Sequence, residues 1–223
     1  MTLTELIVGL MITAMVAGAL AALWGAVGTN WQAASSSENM SLRTGQVVTR
    51  LEGLFRAARY VCQWTPGSND GQTAPASAFL WRSDYWNAAG TVTNPADFKG
   101  TVPDGVVQVA ELAVVEFDVA SSRIYLYQAM DPARMTADQR TRAGVVWTWA
   151  DLSKATTVST FKALDFVQKT VVTEGVTGVT FNMPAAVTGG RPAFEFTLSM
   201  SKNDCKASVY STATLRAPAQ RPL

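Results

Sequence analysis

Hydrophobic residues follow two different patterns in the first sixty residues of the chain. Residues 1–28, MTLTELIVGLMITAMVAGALAALWGAVG, are apolar on every side of a helix and exceed the ~20 residues that cross a bilayer. After a polar stretch, apolar residues recur at i, i+3, i+4 and i+7 between Val47 and Cys62. Because Pro66 is the first proline, we predict one helix of about sixty residues, roughly 90 Å long. The first half of this helix needs lipid or protein on all sides, whereas the second half buries one apolar stripe against a globular domain.

From Trp64 onward the pattern changes to turns and alternating strands. We predict strands at 78–82, 145–149, 176–183, 193–200 and 207–216, a hairpin at 113–127 and an exposed loop or short helix at 131–144. Alternation in the hairpin places these side chains on one face: Val115, Phe117, Val119, Ile124 and Leu126. The predicted fold class is α+β, a long N-terminal helix packed through its amphipathic half on an antiparallel sheet. Its parts are an apolar half-helix at 1–28, an amphipathic half-helix at 29–63 and a β-rich head at 64–223.

Composition and charge remove several classes of function. The net charge of +1 gives no electrostatic case for specific nucleic-acid binding. Histidine is absent, which removes the commonest general base and the commonest metal ligand. The chain of 223 residues is long enough for one sizeable domain or two small ones.

The two cysteines, Cys62 and Cys205, can form neither a zinc cluster nor a C-x-x-C motif. If the head lies outside the cytoplasm, a single disulfide can join them. It would close a long loop, for which the entropy model gives roughly 4–5 kcal/mol of stabilisation. The alternative is two free, buried thiols.

Other candidate chemistry is weak, and we predict that the chain is not an enzyme. Ser199 and Lys202 match S-x-x-K, but that motif needs a helix start and here it ends a predicted strand. Residues 68–72, SNDGQ, offer fewer carboxylates than a calcium loop needs, so we expect a turn and no cofactor, with a calcium site as the alternative. Clustered aromatic residues indicate core or interface packing, and binding of a glycan or another subunit is the alternative. These residues are Trp81, Tyr85, Trp86, Trp147 and Trp149.

The lone carboxylate of Glu5 is the most unusual feature of the apolar half, since the next charged residue is Glu38. Thr2 and Glu5 have the T-x-x-E spacing of a capping box, and an acid in the first turn suits the helix dipole. A role in ion transport would need further ionisable partners, which this segment lacks. A third hypothesis is that Glu5 pairs with a cation of another copy, the nearest being the α-amino group of Met1.

The start of the chain also differs from a cleavable secretory signal. Such signals begin with a positive region, whereas no Lys or Arg precedes Arg43. It also differs from an ordinary membrane-anchor helix, which takes its orientation from flanking Lys or Arg. We therefore expect that a basic leader preceded Met1 and has been removed.

The stretch TLTELIVGLMI resembles the mature start of type IV pilins and of the pseudopilins of type II secretion. Thr2 and Glu5 match that family, and Met1 replaces its usual first phenylalanine. The resemblance implies a leader cut by prepilin peptidase, methylation at Met1, and Glu5 meeting a neighbour's N-terminus to set subunit register. It also implies a lollipop fold. The stretches LRTGQVVTRLEGLFRAARYV and VTGVTFNM, with the hairpin, resemble the J-type minor pseudopilins and the bulky minor pilins.

This resemblance makes a structural filament subunit the expected function. Its partners would be copies of itself or other pilins in a helical filament, the inner membrane before assembly, prepilin peptidase and the assembly machinery. It would finish in a periplasmic or extracellular filament. The alternative is a membrane-anchored extracytoplasmic binding domain that never polymerises, and an anchored hydrolase is disfavoured by the missing histidine.

Overall fold

The computed structural model describes residues 2–68, 74–82, 107–183, 193–202 and 205–215, except the side chains of Lys202 and Cys205. Its helices are α1 (Leu3–Ala57), α2 (Ala137–Ala143), α3 (Trp149–Leu152) and α4 (Thr157–Lys162). Its strands are β1 (Tyr60–Thr65), β2 (Gly67–Ser68), β3 (Ala76–Trp81), β4 (Leu112–Asp118), β5 (Arg123–Ala129), β6 (Val167–Glu174), β7 (Val176–Asn182), β8 (Ala193–Lys202) and β9 (Cys205–Thr214). The predicted α+β class is confirmed.

The head is built from two antiparallel sheets. One has the strand order β1-β3-β4-β5-β6 and the other β2-β7-β8-β9. The inner faces of both sheets pack against the C-terminal part of α1, which contacts β8 and β9. The helix and the two sheets therefore share one hydrophobic cluster.

The amphipathic stripe of α1 is confirmed. Its buried residues are Met40, Thr44, Val47, Val48, Leu51 and Phe55, at the spacing of a single helix face. Phe55 is fully buried, and its ring centroid lies 4.6 Å from that of Phe194, 5.4 Å from that of Phe196 and 5.8 Å from that of Phe181. Four phenylalanine rings thus join the helix to the second sheet.

A second hydrophobic cluster lies on the opposite face of the first sheet. It is covered by the connection between β5 and β6, which contains α2, α3 and α4. Phe161 of α4 packs on Phe79 of β3 with ring centroids 5.6 Å apart. The first sheet is therefore buried on both faces over much of its area.

The long helix ends earlier than its apolar periodicity predicts. We expected the helix to reach about Cys62, but α1 ends at Ala57 and residues from Tyr60 form β1, so the head begins before Trp64. Val61 packs in the cluster that contains α1, whereas Cys62 packs in the cluster on the other face of the sheet. Adjacent side chains on opposite faces require a strand, since successive strand residues alternate. Tertiary packing therefore overrides the helical spacing.

Most predicted strands are confirmed, with one error and three omissions. The hairpin of β4 and β5 pairs Val115 with Leu126 and Phe117 with Ile124, and these four side chains face the cluster that contains α1. Residues 145–149 were wrongly predicted as a strand. Val146 makes only an isolated bridge, while Thr148 caps α3 by accepting a hydrogen bond from the Asp151 N–H. Strands β1, β2 and β6 were not predicted.

Gly67 allows the chain to pass from the first sheet to the second. Its φ is +75°, and a Cβ there would lie 2.1 Å from the carbonyl oxygen of Val179 and 2.6 Å from the Cβ of Ala76. The Phe181 N–H donates to the carbonyl of neighbouring Pro66 at 2.8 Å, so this backbone is fixed. Glycine is required here by conformation and by space.

Gly67→Ala should therefore lower the free energy of unfolding by roughly 2–4 kcal/mol, from backbone strain and overpacking together. Gly53→Ala is the matched control, because Gly53 lies in α1 with open space around its Cα. That change should stabilise the protein by about 0.5–1 kcal/mol through helix propensity. Denaturant unfolding of the full chain in detergent measures both. Equal stability of Gly67→Ala and the parent would contradict the close approach.

Candidate assembly interface

The first half of α1 carries no packing partner among the described residues. Every described residue from Thr2 to Ser35 is exposed, including large side chains such as Leu10, Met15 and Leu23. Within the described part of the chain, α1 is the one helix long and apolar enough to cross a membrane. An apolar helix of this kind is stable only against lipid or protein.

Hydroxyl groups in this half of α1 are satisfied by the helix itself. Thr13 Oγ1 donates to the carbonyl of Gly9 at 2.7 Å. Thr29 Oγ1 lies 3.0 Å from the carbonyl oxygen of Ala26 and 3.2 Å from that of Gly25. In an apolar environment these side chains would therefore leave no hydroxyl donor unpaired.

Glu5 caps the start of the same helix. The Thr2 N–H donates to Glu5 Oε2 at 2.8 Å, which is the glutamate half of the predicted capping box. The Thr2 and Thr4 hydroxyls lie 3.0 Å apart, so the polar groups cluster in the first turn. A carboxylate accepts about four hydrogen bonds, so the cap leaves it able to bind a cation as well. Met1, the predicted source of that cation in a neighbouring copy, lies outside the described residues.

Polar contacts fix the second half of α1 to the head. Arg43 Nη2 donates to the carbonyl of Glu174 at 3.3 Å, and Arg50 Nη1 donates to that of Val172 at 3.4 Å. On the other side, Glu52 pairs with Arg56 at 3.1 Å and accepts a hydrogen bond from the Ser211 hydroxyl of β9. The head is therefore held in a defined orientation about the helix axis.

Cys62 is a free thiol, so the structure does not contain the Cys62–Cys205 disulfide that the sequence left open. Burial raises the pKa of this thiol to about 12, against the smaller lowering by a backbone hydrogen bond from Trp81. Cys205 begins β9 in the other sheet, and its side chain lies outside the described residues. Cys62 is therefore a buried, protonated and unreactive cysteine, which was the alternative to the disulfide.

Slow thiol labelling should follow from this burial. In a Cys205→Ser variant, we expect Cys62 to react with iodoacetamide roughly a hundredfold more slowly in the native protein than in denaturant, since only the exposed thiolate is nucleophilic. The parent, denatured without reductant, should show both of its thiols free. Rapid native labelling, or a parent without free thiols after denaturation, would contradict the structure.

The remaining candidate residues do not form a catalytic or metal site in the described part of the chain. Ser199 lies on β8, as its predicted strand requires, with its hydroxyl 3.2 Å from that of Ser208 on β9. The side chain of Lys202 is not described, and of the weak calcium candidate at 68–72 only Ser68 lies within the described residues. No group of three or more acidic or cysteine side chains suited to a metal occurs among the residues that were placed.

The candidate aromatic residues pack within the head where they are described. Trp81 is buried and donates from Nε1 to Glu111 Oε2 at 3.1 Å. Trp147 packs on Phe161 and Trp149 packs on Tyr60, and both tryptophans lie against the second hydrophobic cluster. Tyr85 and Trp86 lie outside the described residues.

A polar cluster at the turn between β4 and β5 was not predicted. Asp118 accepts a hydrogen bond from the Ser121 hydroxyl at 2.8 Å, which lowers the pKa of Asp118. The Ser121 hydroxyl also lies 3.2 Å from that of Tyr125, whose ring has Lys169 Nζ 3.7 Å from its centroid. The D-x-x-S spacing was its only sequence signal. In the same turn Ser122 has a φ of 53°, and its N–H donates to the carbonyl of Val119 at 3.3 Å.

The fold and the exposed helix together define a class of shape. A long N-terminal apolar helix packed through its C-terminal part on antiparallel sheet is a pilin-like architecture. No family model, no curated protein and no solved structure matches the chain.

Proposed function

We propose that this chain is a structural subunit of a type IV pilus-like filament or a type II secretion pseudopilus. Before assembly, each copy is anchored in the inner membrane by its first half-helix. It then joins the growing filament, which is periplasmic or extracellular. It performs no catalysis and needs no cofactor. Its partners are further copies or other pilins, prepilin peptidase and the assembly machinery.

The observation that carries this proposal is the division of one continuous helix into an exposed and a buried half. The described residues of α1 before Ser36 are all exposed, and the first buried residue of the helix is Met40. Bundling of these halves would exchange lipid contacts for protein contacts. Glycines with open space around them, at Gly9, Gly18 and Gly25, would let neighbouring helices approach closely.

Glu5 is the proposed register device within this bundle. An unpaired carboxylate is costly in an apolar core, so only the axial position that brings a cation to it is tolerated. The α-amino group of a neighbour's Met1 would supply that cation. The hydrogen bond from Thr2 to Glu5 orients the carboxylate without consuming its charge.

Isolation of the extracellular or periplasmic fibres tests the proposal. Sheared fibres should contain the intact chain, and electron cryo-microscopy should show residues 3–34 packed against each other at the fibre axis with heads outward. Mass spectrometry of the same sample should find a methylated α-amine on Met1. A chain that remains single in the membrane, with an unprocessed start, would instead be an anchored binding domain.

A further inference from the structure

Two exposed tryptophans lie near the C-terminal end of the exposed half of α1. The side chain of Trp24 is 73% exposed and that of Trp31 is 76% exposed, although large aromatic residues are normally packed. They are seven residues apart, which places them on one side of the helix about 10 Å from each other. Residues of this type, one end apolar and one end polar, collect where hydrocarbon meets lipid headgroups.

The composition of α1 changes from apolar to polar in the region of these two tryptophans. Before Trp24 the helix is almost wholly apolar, whereas Thr29 and Asn30 precede Trp31 and a polar run extends from Gln32 to Asn39. The first buried residue, Met40, comes nine residues after Trp31, about 13 Å along the axis. A bilayer surface at the two tryptophans would therefore leave a polar spacer between the lipid and the head.

The spacing between Trp24 and Glu5 matches the thickness of a bilayer. They are separated by 19 residues, about 28 Å at 1.5 Å per residue, and the hydrocarbon core of a bilayer is about 30 Å. If Trp24 lies at one edge of the hydrocarbon, Glu5 lies at the other edge. Thr2 and Thr4 accompany it there, so the polar groups of the first turn share one level.

We infer that lipid headgroups hold the unassembled chain at Trp24 and Trp31, and that this depth keeps the Glu5 carboxylate in water at the opposite surface. The inference rests on the proposed function, because it describes the state from which subunits are drawn. Moving the helix toward its head would pull Glu5 into hydrocarbon, where its charge is costly. The cost of the carboxylate would thus arise only during assembly, when a neighbour's cation can meet it.

Fluorescence quenching tests the depth of the tryptophans. The full chain is placed in phosphatidylcholine vesicles whose acyl chains carry bromine near the headgroup or near the terminal methyl. Bromine near the headgroup should quench at least about twofold more strongly, and Trp24→Phe with Trp31→Phe should remove most of that quenching. Trp64→Phe is the control, since Trp64 is a half-exposed residue of the head, and it should leave the quenching unchanged. Stronger quenching by deep bromine, or a double variant that is quenched like the parent, would overturn the inference.

Thiol labelling tests the level of Glu5. Thr4→Cys and Met11→Cys lie seven residues apart on one side of α1, and each is made in a Cys205→Ser chain whose Cys62 is buried. With a membrane-impermeant maleimide on both sides of the vesicle, position 4 should react at least about tenfold faster than position 11. Equal protection would place the first turn inside the hydrocarbon and overturn the inference. Both measurements use unassembled protein, so a chain that passes them yet forms no fibre refutes the proposed function alone.

Discussion

Phe55→Ala should lower the free energy of unfolding by about 3–5 kcal/mol, the range measured for removing a buried phenylalanine. Phe55 is 0% exposed and contacts three further phenylalanine rings, which belong to β7 and β8. The rigid backbone of the helix and of two paired strands limits how far the site can collapse around the cavity. Because these rings join α1 to the head, the change should also loosen the helix from the sheet.

Leu42→Ala is the matched control for this change. Leu42 lies on the same helix but is 60% exposed, so its truncation should alter the stability by no more than about 0.5 kcal/mol. Urea unfolding of the full chain in detergent, followed by near-UV circular dichroism, measures both. If Phe55→Ala were as mild as Leu42→Ala, the phenylalanine cluster would not be the main joint between helix and head.

The parts of the fold that local periodicity determines could be predicted from the sequence. The stripe from Val47 to Phe55 and the hairpin of β4 and β5 each bury one face, so their spacing reports their structure directly. The edge strand β6 could not be predicted in this way, because four successive residues, Gln168 to Val171, are exposed. Its pairing with β5 decides its conformation, and pairing leaves no periodic signal in one strand.

The candidate assembly interface was also only partly predictable from the sequence. Glu5 could be singled out because a lone acid in an apolar run conflicts with its surroundings, and such conflicts are visible without a structure. The early end of α1 was missed because Val61 and Cys62 satisfy helical spacing as well as strand alternation. Only the positions of two separate hydrophobic clusters decide between them. The fate of Cys62 was also undecidable, since the distance between two cysteines depends on the topology of both sheets.

Glu5→Ala and Glu5→Leu should leave the chain inserted in the membrane but strongly reduce the yield of fibres. In the proposed filament, either change would remove the partner of a neighbour's α-amino group and would leave that cation in an apolar bundle. Breaking a buried ion pair in this way costs about 3–5 kcal/mol, a loss of roughly a hundred- to several-thousand-fold in association at each subunit contact. Membrane fractionation and quantification of sheared fibres measure the two outcomes separately. Normal fibre yield would contradict the register hypothesis.

Glu5→Gln separates the charge of this side chain from its role as a helix cap. Glutamine keeps a side-chain oxygen for the Thr2 N–H, since both Glu and Gln serve at this position of a capping box. If Glu5 only capped α1, fibres of this variant would form normally, whereas loss of the charge should leave them as deficient as Glu5→Ala. Glu38→Gln is the matched control, because it removes the same charge from an exposed, polar part of the same helix and should assemble like the parent. Capping and pairing make opposite predictions for one oxygen-to-nitrogen exchange, so this pair of variants tests the charge directly.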